Sequence, residues 1–217
     1  MSKLLDAKVY VVSMASNTDR RSKIQAQLSS IGLTAKFVDA VVGKDISSGE
    51  YFNLAVAGRK RLLSPSELGC SLSHQLIYSD IIENNIESAI ILEDDVLLDV
   101  SKWAKFKNIT LSEDELCFLG GQEGMKRSRL LSAVRKNSYG EYSPLLISFF
   151  YRTCAYAISK STAKKMSELA KEKIYLADDW PYINKACNFS KLVFAPIFSH
   201  PLDATGSLIE QERLSLK

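Results

Sequence analysis

The chain has 217 residues, 46% hydrophobic and 24% charged, with a formal net charge of +3. That length supports one sizeable core and excludes two full domains, and so small a charge gives no argument for a nucleic-acid partner. No apolar run approaches the roughly 20 residues needed to cross a bilayer, and no repeat, low-complexity tract or Pro/Gly/Ser linker divides the chain. The first six residues lack a signal-peptide core. The four cysteines (Cys70, Cys117, Cys154, Cys187) are widely spaced and show no C-x-x-C pairing. They read as reduced thiols in a cytoplasmic protein.

In chain order, residues 9–12 (VYVV) predict a buried strand, followed by a helix from about 20 to 31 with Ile24, Leu28 and Ile31 at helical spacing and Gly32 as its C-terminal cap. Residues 35–40 give a second strand, so the chain opens as β-α-β with parallel strands. Between 43 and 63 the pattern loses its period, predicting a loop with short helical turns. Ser64, Pro65, Ser66 and Glu67 then form a capping box with proline at the first helical position. The helix they start runs to Asn84 and Asn85. Residues 116–119 predict another buried strand, stopped by Gly120 and Gly121. Residues 125–142 are basic and polar and predict a surface loop. Residues 147–158 predict one or two strands, and 159–171 an amphipathic helix with Ala163, Met166 and Leu169 inward. An aspartate from Asp178 and Asp179 caps a helix that Pro181 helps start. Residues 192–194 are a last strand, and the tail from 196 wraps over the ligand cleft or frays.

The most informative stretch lies at 88–98, where Ala89, Ile90, Ile91 and Leu92 lead into Glu93, Asp94 and Asp95. A short apolar run without alternation predicts a strand buried on both faces. Ligands of open α/β sheets sit at the carboxyl ends of such strands, which is where these carboxylates fall. Three adjacent carboxylates either form a solvated acidic turn or share a cation, and hard oxygen ligands favour Mg²⁺ or Mn²⁺ over zinc. A metal-bound diphosphate is the natural occupant. Lysine and arginine also gather at 59–61 and at Lys126, Arg127, Arg129, Arg135 and Lys136. These are solvated surface or attractors of phosphate or of an anionic membrane face.

Seven segments in register carry a resemblance: VYVVS at 9–13 with Asp19, Arg20 and Arg21; FVDAVVG at 37–43; SPSELGCSLSH at 64–74; IILEDDV at 90–96; TCAYAIS at 153–159; Asp178, Asp179 and Trp180; and residues 200–209. Together they resemble glycosyltransferase family 25, the bacterial lipooligosaccharide galactosyltransferases and their relatives in collagen glycosylation. The resemblance implies an α/β, GT-A-like fold, a Rossmann-related, mostly parallel sheet flanked by helices. It implies a single domain over 1–217, with a nucleotide-sugar half to about 100 and an acceptor-binding, catalytic half from about 101. The implied activity is metal-dependent, inverting transfer of a sugar, foremost galactose from UDP-galactose, to a lipooligosaccharide or other surface glycan. Peripheral contact with the inner membrane face would suit such an acceptor.

Carried onto this sequence, the resemblance makes Asp95 the ligand of Mn²⁺ or Mg²⁺, with Glu93 and Asp94 supporting it or touching the ribose, and places His200 on the metal or pyrophosphate. Ser13, Arg20, Arg21 and Asp39 fall on the nucleotide side. An arginine fork suits UDP phosphates or ribose, and cations are disfavoured at a helix start, so one of the two arginines has a ligand role. Asp39 either accepts a hydrogen bond from uracil or is a turn residue. A direct metal role for His74 is not expected; Ser73 and His74 help shape the cleft. Asp179 aligns with the general base that takes the acceptor proton, while Asp178 is explained as a helix cap. Trp180 stacks on an acceptor sugar or belongs to the core. The competing classes are a silent adhesion or scaffold protein on the same fold and a sugar nucleotidyltransferase. The latter needs a glycine-rich phosphate loop after the first strand, which residues 13–17 (SMASN) do not supply.

Overall fold

The computed structural model describes residues 2–122, 140–201 and 212. Its strands, in chain order, are β1 (Ser2–Lys3), β2 (Lys8–Ser13), β3 (Ala35–Asp39), β4 (Ser88–Glu93), β5 (Leu97–Leu98), β6 (Thr110–Leu111), β7 (Glu115–Gly120), β8 (Gly140–Tyr142), β9 (Ala155–Ser159) and β10 (Lys191–Ser199). The α-helices are α1 (Thr18–Ser29), α2 (Ser48–Tyr51), α3 (Pro65–Glu83), α4 (Val100–Phe106), α5 (Lys160–Glu172) and α6 (Trp180–Cys187). The basic cluster from Lys126 to Lys136 and residues 202–209 of the terminal motif lie outside the described residues.

One eight-stranded sheet organises the fold in the order β3-β2-β4-β9-β7-β10-β5, with β8 also paired to β10. The β2-α1-β3 opening is parallel as its pattern predicts, and β2 is likewise parallel to β4. β9 runs against both β4 and β7, and β10 is parallel to β7. Five strands (β2, β3, β4, β7, β10) therefore share one direction. β10 stays in register with β7 through Phe194 and resumes at Phe198 after a shift. Pro196 sits in that interval, where its missing N–H costs no ladder bond.

Both sheet faces are covered. Along β4, Ala89 and Ile91 join a core with Ile77, Tyr78 and Ile81 of α3, Met166 of α5 and Trp180 of α6. Ile90 and Leu92 join the opposite core with Ile24 and Leu28 of α1 and Trp103 and Phe106 of α4. This is the burial that an apolar run without alternation requires. On α3 the Ser64 hydroxyl accepts from Glu67 N, and the Glu67 carboxylate accepts from Ser64 N at 3.0 Å, closing the predicted capping box. Gly69 is where the loop after β3 lies directly on the helix. A Cβ there would stand 2.4 Å from the Val41 carbonyl oxygen.

One expectation needs correction, two elements were not foreseen, and one open alternative is decided. Residues 147–149 belong to a 3₁₀ helix (Pro144–Phe149), and only the second part of 147–158 is strand. Proline at the start of that segment and the Ser143 hydroxyl accepting from Leu145 N favour the turn over an extended chain. α4 and β5 follow the acidic turn unforeseen. Trp180 is core: it is fully buried, packs edge-on against Phe118 and Tyr156, and donates from Nε1 to the Arg152 carbonyl at 3.1 Å.

Candidate functional site

Strand direction builds the site. Ser13 pairs with Asp39, and Val12 with Glu93, so β2, β3 and β4 end side by side. β7 and β10 end on the same side, at Gly120 and Ser199, followed by His200. Because β9 is reversed, its beginning lies there too: Glu93 N donates to the Cys154 carbonyl at 2.9 Å, and Thr153 Oγ1 donates to Glu93 Oε1 at 2.9 Å. A carboxyl-end cleft thus receives the residues preceding an antiparallel strand.

The acidic triplet divides into two kinds of group. Asp94, with a side chain 9% exposed, is engaged by protein: Ser13 Oγ donates to Oδ2 at 2.6 Å and Arg20 Nη1 to Oδ1 at 3.0 Å. Arg21 donates to the Ser13 carbonyl at 2.8 Å, pairs with Asp39, and lies over the Phe37 ring. Two cations at the start of α1 are therefore offset by two acids at strand ends. The Asp39 side chain is 70% exposed and open to a ligand.

Glu93, Asp95 and His200 form the other group, with one ligand atom from each within 4.8 Å of the others. Asp95 Oδ2 lies 3.5 Å from His200 Nε2, and Asp95 Oδ1 is buried without a hydrogen-bond partner. Burial alone would raise the Asp95 carboxyl, but the bond and charge of His200, with Arg20, hold it below its ordinary value. His200 is raised in turn, first by its bond to Asp95. Glu93 is half-buried, and burial takes water from its carboxyl. That desolvation, followed by the Asp95 charge, pushes it up to about 7. An orphaned carboxylate oxygen, a second carboxylate and an imidazole fit a divalent cation of the magnesium or manganese class.

The Asp178 and Asp179 assignments change places with respect to the cap. Asp179 is exposed, and its Oδ1 accepts from Tyr182 N at 3.2 Å, so it is the N-cap of α6. Asp178 is half-buried, and its charge helps raise both Glu93 and Cys70. The cap rule fits either residue in sequence, and the start of α6 at Trp180 decides between them. Ser73 and His74 are buried: Ser73 Oγ accepts from Val41 N at 2.8 Å, holding the loop that leads away from Asp39.

Sequence reasoning missed Arg152. It adopts a left-handed backbone at φ 60°, a conformation that costs a non-glycine residue on the order of 1–3 kcal/mol. Trp180 fixes its carbonyl. Its charge is felt at His200, and its Nη1 is buried without a partner. The only sequence signal was its place just before the TCAYAIS segment.

This fold is one used by glycosyltransferases. The crystal structure of a glycosyltransferase involved in the glycosylation of the major capsid of PBCV-1 superposes with a TM-score of 0.50 at 9% identity, covering 95% of this chain and 98% of that one. The chain itself belongs to glycosyltransferase family 25 (LPS biosynthesis protein), whose family model matches residues 6–180. Similar proteins include a glycosyltransferase 25 family member of Aedes aegypti, 26% identical over 222 residues, covering 91% of this chain and 36% of the relative. Procollagen galactosyltransferase 1-B of Xenopus laevis is 28% identical over 177 residues, covering 73% of this chain and 28% of the relative. Inactive glycosyltransferase 25 family member 3 of Homo sapiens is 26% identical over 182 residues, covering 76% and 29%. The chain thus spans 28% to 36% of the length of these relatives.

Proposed function

We propose that this chain is a metal-dependent, inverting UDP-sugar glycosyltransferase, with galactose as the first donor to try and a lipooligosaccharide or other surface glycan as acceptor. The observation that carries the reading is the buried, unpartnered Asp95 Oδ1 beside Glu93 and His200 at the strand ends. Asp95, Glu93 and His200 would hold Mn²⁺ or Mg²⁺. Bound there, the ion would neutralise the diphosphate of the leaving UDP and replace protonation of that group.

The chain's own residues do the rest. Asp39, exposed at the end of β3, accepts from the uracil. Arg152 brings its free N–H to the diphosphate, and Arg20, braced on Asp94, adds positive charge beside it. Asp178, half-buried near Glu93, accepts the proton of the acceptor hydroxyl as its oxygen bonds to the anomeric carbon and UDP leaves from the opposite face, while Asp179 holds α6 in place. The first hundred residues supply most of the donor side and the remainder the acceptor side, with Arg152, Thr153 and His200 crossing over. A cytoplasmic place, peripheral at the inner membrane, suits a lipid-linked acceptor. The four cysteines, none of them in a disulfide, support a reducing compartment, and no helix among the described residues is long and apolar enough to cross a membrane.

The direct test is a panel of UDP-sugars with Mn²⁺, reading UDP release and the anomeric form of the product. Metal-dependent release from one donor with inverted product is expected. Tight UDP binding with no release from any donor would instead favour a silent member of the family.

A further inference from the structure

Next to the strand-end acids lies a second set of ligating atoms of softer character. Cys70 and His74 are four residues apart on α3 and so share one helix face. One ligand atom from each of Cys70, His74 and Glu93 lies within 4.8 Å of the others. His74 is only 1% exposed, and its Nδ1 bonds the Tyr156 hydroxyl at 2.8 Å, which bonds the Tyr78 hydroxyl at 2.7 Å. Its Nε2 is buried with no hydrogen-bond partner. An unsatisfied buried polar group costs about 1–3 kcal/mol. The tautomer in which Nδ1–H donates to Tyr156 leaves the Nε2 lone pair bare, the arrangement that outer hydrogen bonds impose on metal-binding histidines.

We propose that Cys70 Sγ, His74 Nε2 and Glu93 form a site for a thiophilic divalent cation of the zinc class, chemically distinct from the Asp95 site and sharing Glu93 with it. Thiolate and imidazole select such ions, whereas magnesium-class ions gain nothing from a thiol. A tetrahedral zinc ion spaces its ligand atoms by roughly 3.5 Å, so these three, within 4.8 Å of one another, would draw together on binding. Burial pushes the His74 imidazole down to about 4, which keeps it neutral and ready to ligate. Burial raises the Cys70 thiol, so binding expels its proton to solvent as the S–metal bond forms. An ion held here withdraws Glu93 from the Asp95 cluster. That consequence rests on the transferase reading, but the binding itself does not.

Cadmium, a zinc-class probe with an ultraviolet thiolate charge-transfer band, tests the site on the intact chain, with circular dichroism verifying the fold of each variant. Wild type and Asp95→Asn should show a full band at one equivalent, displaced by Zn²⁺ and not by Mg²⁺. Cys70→Ser should lose the band, and Tyr156→Phe should bind about 10–100-fold more weakly. No band in the wild type, or a full band in Cys70→Ser, would overturn the proposal. Should Cys70→Ser fail to fold, His74→Gln takes its place, and an undiminished affinity there overturns it equally. Failure of sugar transfer leaves these readouts standing, so the two readings can fail separately.

Discussion

Asp80 and Asp95 are carboxylates of the same domain in opposite states of satisfaction. Asp80, on α3, accepts from the Tyr10 hydroxyl at 2.6 Å, from Lys36 Nζ at 2.6 Å and from Asn84 Nδ2 at 3.0 Å. Burial works against its charge, but the bonds from Lys36 and Tyr10 outweigh it and hold the carboxyl low. Asp95 has one histidine and a bare, buried oxygen. A saturated carboxylate ties elements together, whereas an unsaturated one is held ready for something the chain does not contain. On the proposed reading the contrast makes Asp80 a matter of stability and Asp95 a matter of ligand binding.

The comparison extends to the other acids, and the largest effect is expected at Asp178. Asp178→Asn should lower turnover by about 10²–10⁴-fold with the melting temperature unchanged, as removal of a general base does. Asp179→Asn should stay active because asparagine also caps a helix. A dead Asp179→Asn beside an active Asp178→Asn would return the base to Asp179. Arg152→Gln comes next: losing one charged hydrogen bond to a diphosphate should weaken UDP binding by about 10–100-fold in calorimetry. Unchanged affinity would make the strained Arg152 purely structural.

Asp80→Ala should do the reverse of these, costing about 1–2 kcal/mol in denaturant unfolding by stranding the buried Tyr10 hydroxyl, with UDP binding intact. A pH slope sharpens the comparison further. Glu93 is raised from 4.5 to about 7 in the fold, so its contribution to stability is fully present below about 4.5 and lost as pH rises through about 7. Glu93→Gln should flatten that part of the metal-free stability profile, and Mn²⁺ should flatten it in the wild type. A wild-type profile identical to that of Glu93→Gln would mean that Glu93 is not held in its neutral form.

Local signals were legible where one segment carries its own physics. The capping box at Ser64, the apolar run before Glu93 and the β-α-β opening all follow from nearest-neighbour rules, and all stand in the structure. The reversal of β9 did not, because strand direction is set by packing between distant segments. With it went the arrival of Arg152 and Thr153 at the acids, and the approach of Glu93 to Cys70 and His74. The cap was misplaced by one residue because Asp178 and Asp179 satisfy the same local rule, and only the start of α6 separates them. Trp180 carried two readings that sequence cannot divide, since an aromatic ring suits a sugar face and a core equally.

The central claim is that the unsatisfied Asp95 carboxylate holds the donor's cation, and calorimetric titration of UDP into wild type and Asp95→Asn, with and without Mn²⁺, tests it most directly. Wild type should bind UDP more tightly with Mn²⁺ than without it. Asp95→Asn should lose that difference while staying folded, because Asp95 has the single His200 contact at 3.5 Å where Asp80 has three hydrogen bonds. An Asp95→Asn protein whose UDP affinity still rises with Mn²⁺ as in the wild type would contradict the account.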